Sequence, residues 1–282
     1  MIRIDLHMHS TFSDGTMSPE ELVSRGRAGG LSVMSLTDHD TLDGLAPFMS
    51  ACDRLGVAGI PGVELSADHE KTLHILGYRL NFRAPGGLGE ALERLRRGRD
   101  VRNERMCEKM QSMGVDITMQ EVAAEAGGEV VARPHMARVL MKKGYSPDIR
   151  SAFERYLGSS APAYVRRDRL PPADCIRLIR EAGGLAVLAH PAQTTKDEQE
   201  LLDILERLKE AGLWGMECLS PGSSPEQVFR CMSMAAEFGL FATAGSDFHG
   251  ANRPSVSMGV SVKEDFLPWA RLGVSLSHPR RR

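Results

Sequence analysis

Residues 57–79 read VAGIPGVELSADHEKTLHILGYR, and this stretch decides the fold. Residues 57–63 and 73–79 are both apolar runs of strand character. About ten residues join them, whereas a parallel crossover needs a dozen or more and usually a helix. The two strands therefore run antiparallel. The end of one and the start of the other then lie on one edge of a sheet, and Glu64 and His74 are those ends.

Outward from this pair the chain alternates strand and helix. Residues 2–7 and 32–37 read as strands. Between them Ser18 caps a helix with Pro19 at its first position and Glu20 and Glu21 in its first turn, stopped by Gly29 and Gly30. A second helix covers 42–55. Beyond Pro85-Gly86-Gly87 the texture changes, and only helices are read, over 88–113, 119–126, 134–143 and 147–157. Alternation resumes near Pro171-Pro172: helices over 173–182, 197–211 and 224–238, strands over 185–189, 213–218 and 240–244. Seven strands in repeating strand–helix order argue for an α/β barrel or open α/β sheet. Roughly 200 residues remain outside the helical stretch, fewer than the ~250 of a full eightfold barrel, so a smaller, irregular barrel is expected. The expected division is 1–86 with 172–282 as the barrel and 87–171 as an all-helical insertion.

The chain has 282 residues, 42% hydrophobic and 26% charged, with a formal net charge of −2. That is ordinary globular composition. Bulk basicity that would advertise nucleic acid is missing, and no apolar run nears the ~20 residues of a membrane span. Residues 1–5 run straight into a strand, without the basic and apolar regions of a leader. Five scattered cysteines form no Cys-x-x-Cys pair, which argues against a disulfide framework or thiolate zinc site and suits reduced thiols in the cytoplasm. No obligate protein partner is implied.

The chemistry lies in the histidines. His7 and His9 close the first strand two apart, so both point to one side, and Asp14 follows in a Ser-Asp-Gly turn. His39 ends the second strand beside Asp38; Glu64 ends the third; His74 begins the fourth; His190 ends the fifth; Asp247 and His249 follow the seventh. That carboxyl edge is where α/β folds build sites. Imidazoles and carboxylates without thiolate suit manganese, zinc or iron. A catalytic ion keeps about three protein ligands and an open position, so nine candidates imply two or three divalent ions with a bridging carboxylate. Asp38 is read as orienting an imidazole at least as readily as binding metal. His69 and His278 lack ligand-rich neighbours and are read as ordinary hydrogen-bonding histidines. Three divalent ions against Asp14, Glu64 and Asp247 leave net positive charge, which suits an anion.

The segments His7-Met8-His9-Ser10, Ser13-Asp14-Gly15, Thr37-Asp38-His39-Asp40, Gly62-Val63-Glu64, His74-Ile75-Leu76-Gly77-Tyr78, Ala189-His190-Pro191 and Gly245-Ser246-Asp247-Phe248-His249 resemble the polymerase and histidinol phosphatase (PHP) family. The resemblance implies a distorted seven-stranded α/β barrel holding three metals. One would take His7, His9, Glu64 and Asp247; a second Glu64, His74 and His190; a third Asp14, His39 and His249. Asp14, His39, Glu64, His190 and Asp247 would be catalytic. The helical stretch resembles the cap of a PHP subgroup of 3′,5′-nucleoside bisphosphate phosphatases, also described as AMP phosphatases, and related exoribonucleases. Arg133-Pro134-His135 matches an Arg-Pro-His run of that cap, and would place Arg133 and His135 on substrate phosphate. Arg166 and Arg167 are a second anion contact or simply solvated cations.

The implied reaction is hydrolysis of a nucleotide phosphate monoester by metal-activated hydroxide. Three alternatives stay open: 5′→3′ exonuclease action on short RNA or DNA, histidinol phosphate hydrolysis, and a non-catalytic metal-binding module.

Overall fold

The structure is a computed structural model that describes residues 1–126 and 130–276. His278 and the basic tail 279–282 lie outside the described residues. The chain divides into two compact units, Met1–Glu90 with Leu170–Arg282, and Ala91–Arg169.

The elements follow in chain order: β1 (Ile2–Met8), α1 (Pro19–Ala28), β2 (Leu31–Leu36), α2 (Leu45–Leu55), β3 (Ala58–Ser66), β4 (His74–Tyr78), α3 (Gly87–Ser112), α4 (Met119–Ala126), α5 (Arg133–Lys142), α6 (Ile149–Ala152), α7 (Pro172–Glu181), β5 (Leu185–Leu188), α8 (Pro191–Thr194), α9 (Glu198–Glu210), β6 (Gly215–Leu219), α10 (Pro225–Glu237), β7 (Phe241–Ala244) and β8 (Val260–Val262). The expected caps form. Ser18 and Glu21 exchange hydrogen bonds of 2.8 and 3.2 Å with each other's backbone at the start of α1, a device that contributes about 1 kcal/mol. Ser224 and Gln227 do the same for α10.

The strands form one sheet in the order β7-β6-β5-β4-β3-β2-β1-β8. Pairing is parallel except around β4 and at β8. β4 runs antiparallel to β3, with Ser66 opposite His74, and antiparallel to β5. The expectation drawn from the short 64–73 connection therefore holds. The count of seven strands needs correction. An eighth strand, β8, pairs antiparallel to β1 through Ile2–Val262 and Ile4–Val260. Its three residues are too few to show a strand period. The sheet nearly closes, because the chain leaving β7 reaches β1: His9 N donates to Phe248 O at 2.9 Å, and Phe248 N to His7 O at 3.3 Å.

Inside this barrel-like sheet pack Ile4, Leu6, Val33, Ile60, Leu76, Tyr78, Val187 and Ala244, joined by Trp269, Leu272 and Val274 from the turn after β8. Each large apolar side chain so buried contributes roughly 1.5–3 kcal/mol. Leu22, Val23, Met34, Leu36 and Phe48 form a second layer where α1 packs on β2 and α2 on β3.

The second unit has its own core of Met106, Met110, Ile117, Val122, Met136, Leu140 and Leu157. No strand occurs among its described residues, and α6 continues into a single π turn, Phe153–Leu157. No helix among the described residues is long and apolar enough to cross a membrane.

Candidate metal centre

Six of the eight strands, or the segments that follow them, deliver the candidate side chains to one edge. His7 comes from β1, Glu64 from β3, His74 from the start of β4. His9, Asp14, His39, His190, Asp247 and His249 come from the segments that follow β1, β2, β5 and β7. All nine converge. The ring centroids of His9 lie 4.1 Å from His249, 4.6 Å from His39 and 5.2 Å from His7. His74 lies 5.1 Å from His39 and 5.0 Å from His190.

Glu64, fully buried, stands at the centre. Its Oε2 lies 3.2 Å from His7 Nε2, 3.1 Å from His9 Nε2 and 3.2 Å from His39 Nδ1. Its Oε1 lies 2.9 Å from both His74 Nδ1 and His190 Nε2. One carboxylate thus faces five imidazoles.

Among the described residues, three groups have ligand atoms mutually close enough to hold an ion: His7, His9, Glu64 and Asp247; His9, Asp14, His39 and His249; and His39, Glu64 and His74. The first is the set named from the resemblance. The second adds His9 to Asp14, His39 and His249. The third brings in His39, with His190 joined to it through Glu64. The donor set fits divalent ions on a further observation. His7 Nε2, His9 Nε2, His39 Nδ1, His249 Nε2 and Glu64 Oε2 are buried with no hydrogen-bond partner. Buried polar atoms are costly to leave so, and these five all point into the ligand groups. His249 shows how one is prepared. Its Nδ1 donates to the Asp247 carbonyl at 2.8 Å, which leaves Nε2, 3.1 Å from Asp14 Oδ1, as the nitrogen that faces the ligand group.

Strain accompanies the site. His190 and Asp247 adopt positive φ, 25° and 57°, which non-glycine residues seldom do outside functional segments. Asp247 Oδ2 also pairs with Arg253 and accepts from Gln193 Nε2 at 3.4 Å.

Protonation in the centre is set by burial against the charges that face each group. Burial alone would push the imidazolium of His7 down, yet Glu64, Glu217 and Asp247 hold it well above its usual range. For His9 burial is likewise outweighed, chiefly by Asp247 and Glu64, and the ring is pushed up to about 10. Burial pushes His39 down to about 3. Despite burial, the surrounding imidazoles keep Asp14, Glu64 and Asp247 below the ordinary carboxylate range. A ligand nitrogen must shed its proton before it binds metal. With folded values raised, protons compete at neutral pH and win increasingly as pH falls. Calorimetric metal titration in buffers of different ionisation enthalpy should therefore show net proton release, with affinity falling from pH 8 to pH 6. No release and a flat pH response would contradict this picture.

Asp38 belongs to none of the three ligand groups. It accepts from Ser10 N (2.7 Å), Ser10 Oγ (2.6 Å) and Ser13 Oγ (2.6 Å), and so holds the loop that carries His9 and Asp14. It meets His9 only through Ser13 Oγ, 3.4 Å from His9 Nδ1. His69 is partly buried, accepts from Lys71 N, and belongs to none of the ligand groups.

Two carboxylates escaped the sequence reading. Asp5, pushed up to about 6 by burial against hydrogen bonds from Ser246, also accepts from Gly259 N at 2.8 Å. Glu217, on β6, touches His7 and His190. The available signal was a lone acid inside an apolar strand.

Arg133 and His135 lie in the second unit. Arg133 opens α5, donates to Leu157 O at 3.1 Å, and lies 5.6 and 5.7 Å from the rings of Phe153 and Tyr164. His135 is buried, and its Nδ1 accepts from Ala132 N at 3.0 Å. Arg166 is exposed and Arg167 partly buried.

Residues 5–84 match the PHP domain. A 3′,5′-nucleoside bisphosphate phosphatase from Chromobacterium violaceum is 32% identical over 96% of this chain and 95% of its own length. The chain belongs to the PHP family. A 5′-3′ exoribonuclease from Haemophilus influenzae is 34% identical over 88% of this chain and 90% of its own. A solved structure from Bifidobacterium adolescentis, described as a candidate metal-dependent phosphoesterase, aligns at a TM-score of 0.80 with 29% identity and 97% coverage of both chains. This PHP chain is accordingly a phosphoric ester hydrolase, and its cluster of histidines and acids is suited to divalent metal.

Proposed function

We propose that the protein hydrolyses phosphate monoesters of nucleotides, a 3′,5′-nucleoside bisphosphate or AMP. The observation that carries this reading is the buried carboxylate of Glu64 shared among five imidazoles, of which His7, His9 and His39 turn nitrogens without hydrogen-bond partners toward it. The relative from Chromobacterium violaceum supports the substrate.

His7, His9, Glu64 and Asp247 would hold one ion, Asp14, His39 and His249 with His9 another, and Glu64, His74 and His190 a third. Bound manganese, zinc or iron would lower the pKa of a water and neutralise charge on phosphate. The protein's residues orient the reaction. Asp14, with a side chain 41% exposed, is the most open of the three carboxylates and is placed to accept a hydrogen bond from an attacking water. Phosphorus then gains the water oxygen and loses the ribose oxygen, which leaves as the alcohol.

The helical unit acts as a substrate-selecting cap in this reading, through Arg133 and His135. Burial pulls the Arg133 pKa down against Tyr164, and Arg169 and Arg167 add to the fall. Arg102 is brought down to about 10 by burial and by Arg133, Arg167 and Arg99. Crowded cations of this kind favour an anion among them. With the Nδ1 of His135 accepting from Ala132 N, Nε2 is the ring nitrogen that carries a proton, and His135 would meet phosphate through it in this reading. Arg133→Ala should raise KM about ten- to a hundredfold, the ~1.5–3 kcal/mol of a charged hydrogen bond, with a smaller change in kcat. An inactive variant that binds substrate normally would contradict the assignment.

The exoribonuclease relative favours a second reading, 5′→3′ removal of nucleotides from short oligonucleotides. Phosphate release from adenosine 3′,5′-bisphosphate and AMP, run beside a 5′-labelled oligonucleotide with manganese or zinc supplied, separates the two. Absence of phosphate release from both mononucleotides would overturn the first.

A further inference from the structure

Glu217 is buried beside the centre yet belongs to none of the three ligand groups. Its carboxylate is instead divided between two ligand-bearing segments. Its Oε1 lies 3.1 Å from His7 Nδ1, and its Oε2 accepts from the backbone N–H of His190 at 2.8 Å. His7 is thereby split between its two nitrogens. Nδ1 faces Glu217, while Nε2 faces Glu64 Oε2 at 3.2 Å and Asp247 Oδ1 at 3.5 Å, with no hydrogen-bond partner. A carboxylate only accepts, so Glu217 keeps a proton on Nδ1, and Nε2, facing the ligand group, is the nitrogen left to give up its proton to a metal. At His190 the same carboxylate anchors a residue whose φ is 25°.

A second observation concerns the room Glu217 needs. A Cβ on Gly245 would lie 2.4 Å from the Cβ of His7 and 2.7 Å from Glu217 Oε1. Contacts so short do not occur, so the glycine that opens the Gly245–His249 segment is what lets β1, β6 and the end of β7 approach closely enough for the pair to form.

We propose that Glu217 is a positioning residue of the metal centre, one carboxylate that sets the His7 tautomer and the His190 backbone together, with Gly245 required for its approach. The proposal rests on His7 and His190 being metal ligands; it does not depend on which ester is cleaved. Carboxylate partners of ligating histidines typically carry ten- to a hundredfold in metal affinity.

The test is Glu217→Gln in the full chain. Glutamine has one accepting oxygen where two donors wait. If that oxygen serves His190, its NH2 faces His7 and drives the ring proton to Nε2, the nitrogen that must give it up to a metal. Titration with Zn²⁺ or Mn²⁺ against a chromogenic chelator, without substrate, should show affinity roughly ten- to a hundredfold weaker. Gly245→Ala should move it the same way, and Glu217→Asp, which keeps an acceptor-only carboxylate, should lie between. Histidine ¹⁵N NMR of the wild-type protein should find His7 protonated at Nδ1 and metallated at Nε2. Unchanged affinity in both Glu217→Gln and Gly245→Ala, or His7 metallated through Nδ1, would overturn the proposal. If the glutamine variant does not fold, the wild-type spectrum still decides. A protein that binds metal as described but releases no phosphate would sink the proposed substrate and leave Glu217's role standing.

Discussion

Glu64→Ala should lower phosphate release by at least about 10³-fold, the scale of losing a preorganised electrostatic group at a reacting centre. Its two oxygens face the imidazoles of His7, His9, His39, His74 and His190 at 2.9–3.2 Å. It belongs to two of the three ligand groups, and the third shares His9 and His39 with those two. Removing it takes one negative charge from the centre and leaves five rings facing each other. Metal content should fall with activity, because each neighbouring ion loses a ligand. Glu64→Gln should fall nearly as far, since one end of the amide is a donor that meets ring nitrogens poorly. The measurements are phosphate release and elemental analysis of the same preparation. A variant with full metal content and a tenth or more of wild-type turnover would remove Glu64 from the reaction.

Stripping the metal should abolish activity and lower the melting temperature, with both restored on readdition. An ion held at a hundred times its dissociation constant stabilises the folded state by about 2.7 kcal/mol. For a chain of this size that corresponds to roughly 5–10 °C per ion. The protein should stay folded when stripped. His7 and His9 retain protons above their usual range, so imidazolium–carboxylate pairs replace metal–ligand bonds. Differential scanning calorimetry with chelator, then with manganese or zinc, reads the shift. An unchanged melting temperature and full activity in protein shown to be metal-free would refute a metal-dependent reaction.

Much of this was legible in order along the chain, and for local reasons. A histidine two residues from another on a strand shares its face, and a ten-residue connection cannot cross over; such facts need no tertiary knowledge. They located His7 with His9, and Glu64 with His74. Glu217 was not legible, because one acid in an apolar strand reads the same whether it faces a partner or a solvent edge. β8 escaped because three residues carry no period. Asp38 was left between two roles, and its geometry shows it holding Ser10 and Ser13.

The sequence by itself determined the kinds of candidate ligand, their places at strand ends and the direction of β4, because hydrogen-bonding period and connection length are properties of neighbouring residues. Tertiary structure alone decided how the ligands are shared: that His9 serves two groups, that His39 joins Glu64, and that Glu217 reaches His7 across Gly245. Those outcomes depend on how tightly the sheet curls, which sums the twist of every strand and the packing of its interior. A shift of one ångström there changes which atoms can meet on a single ion.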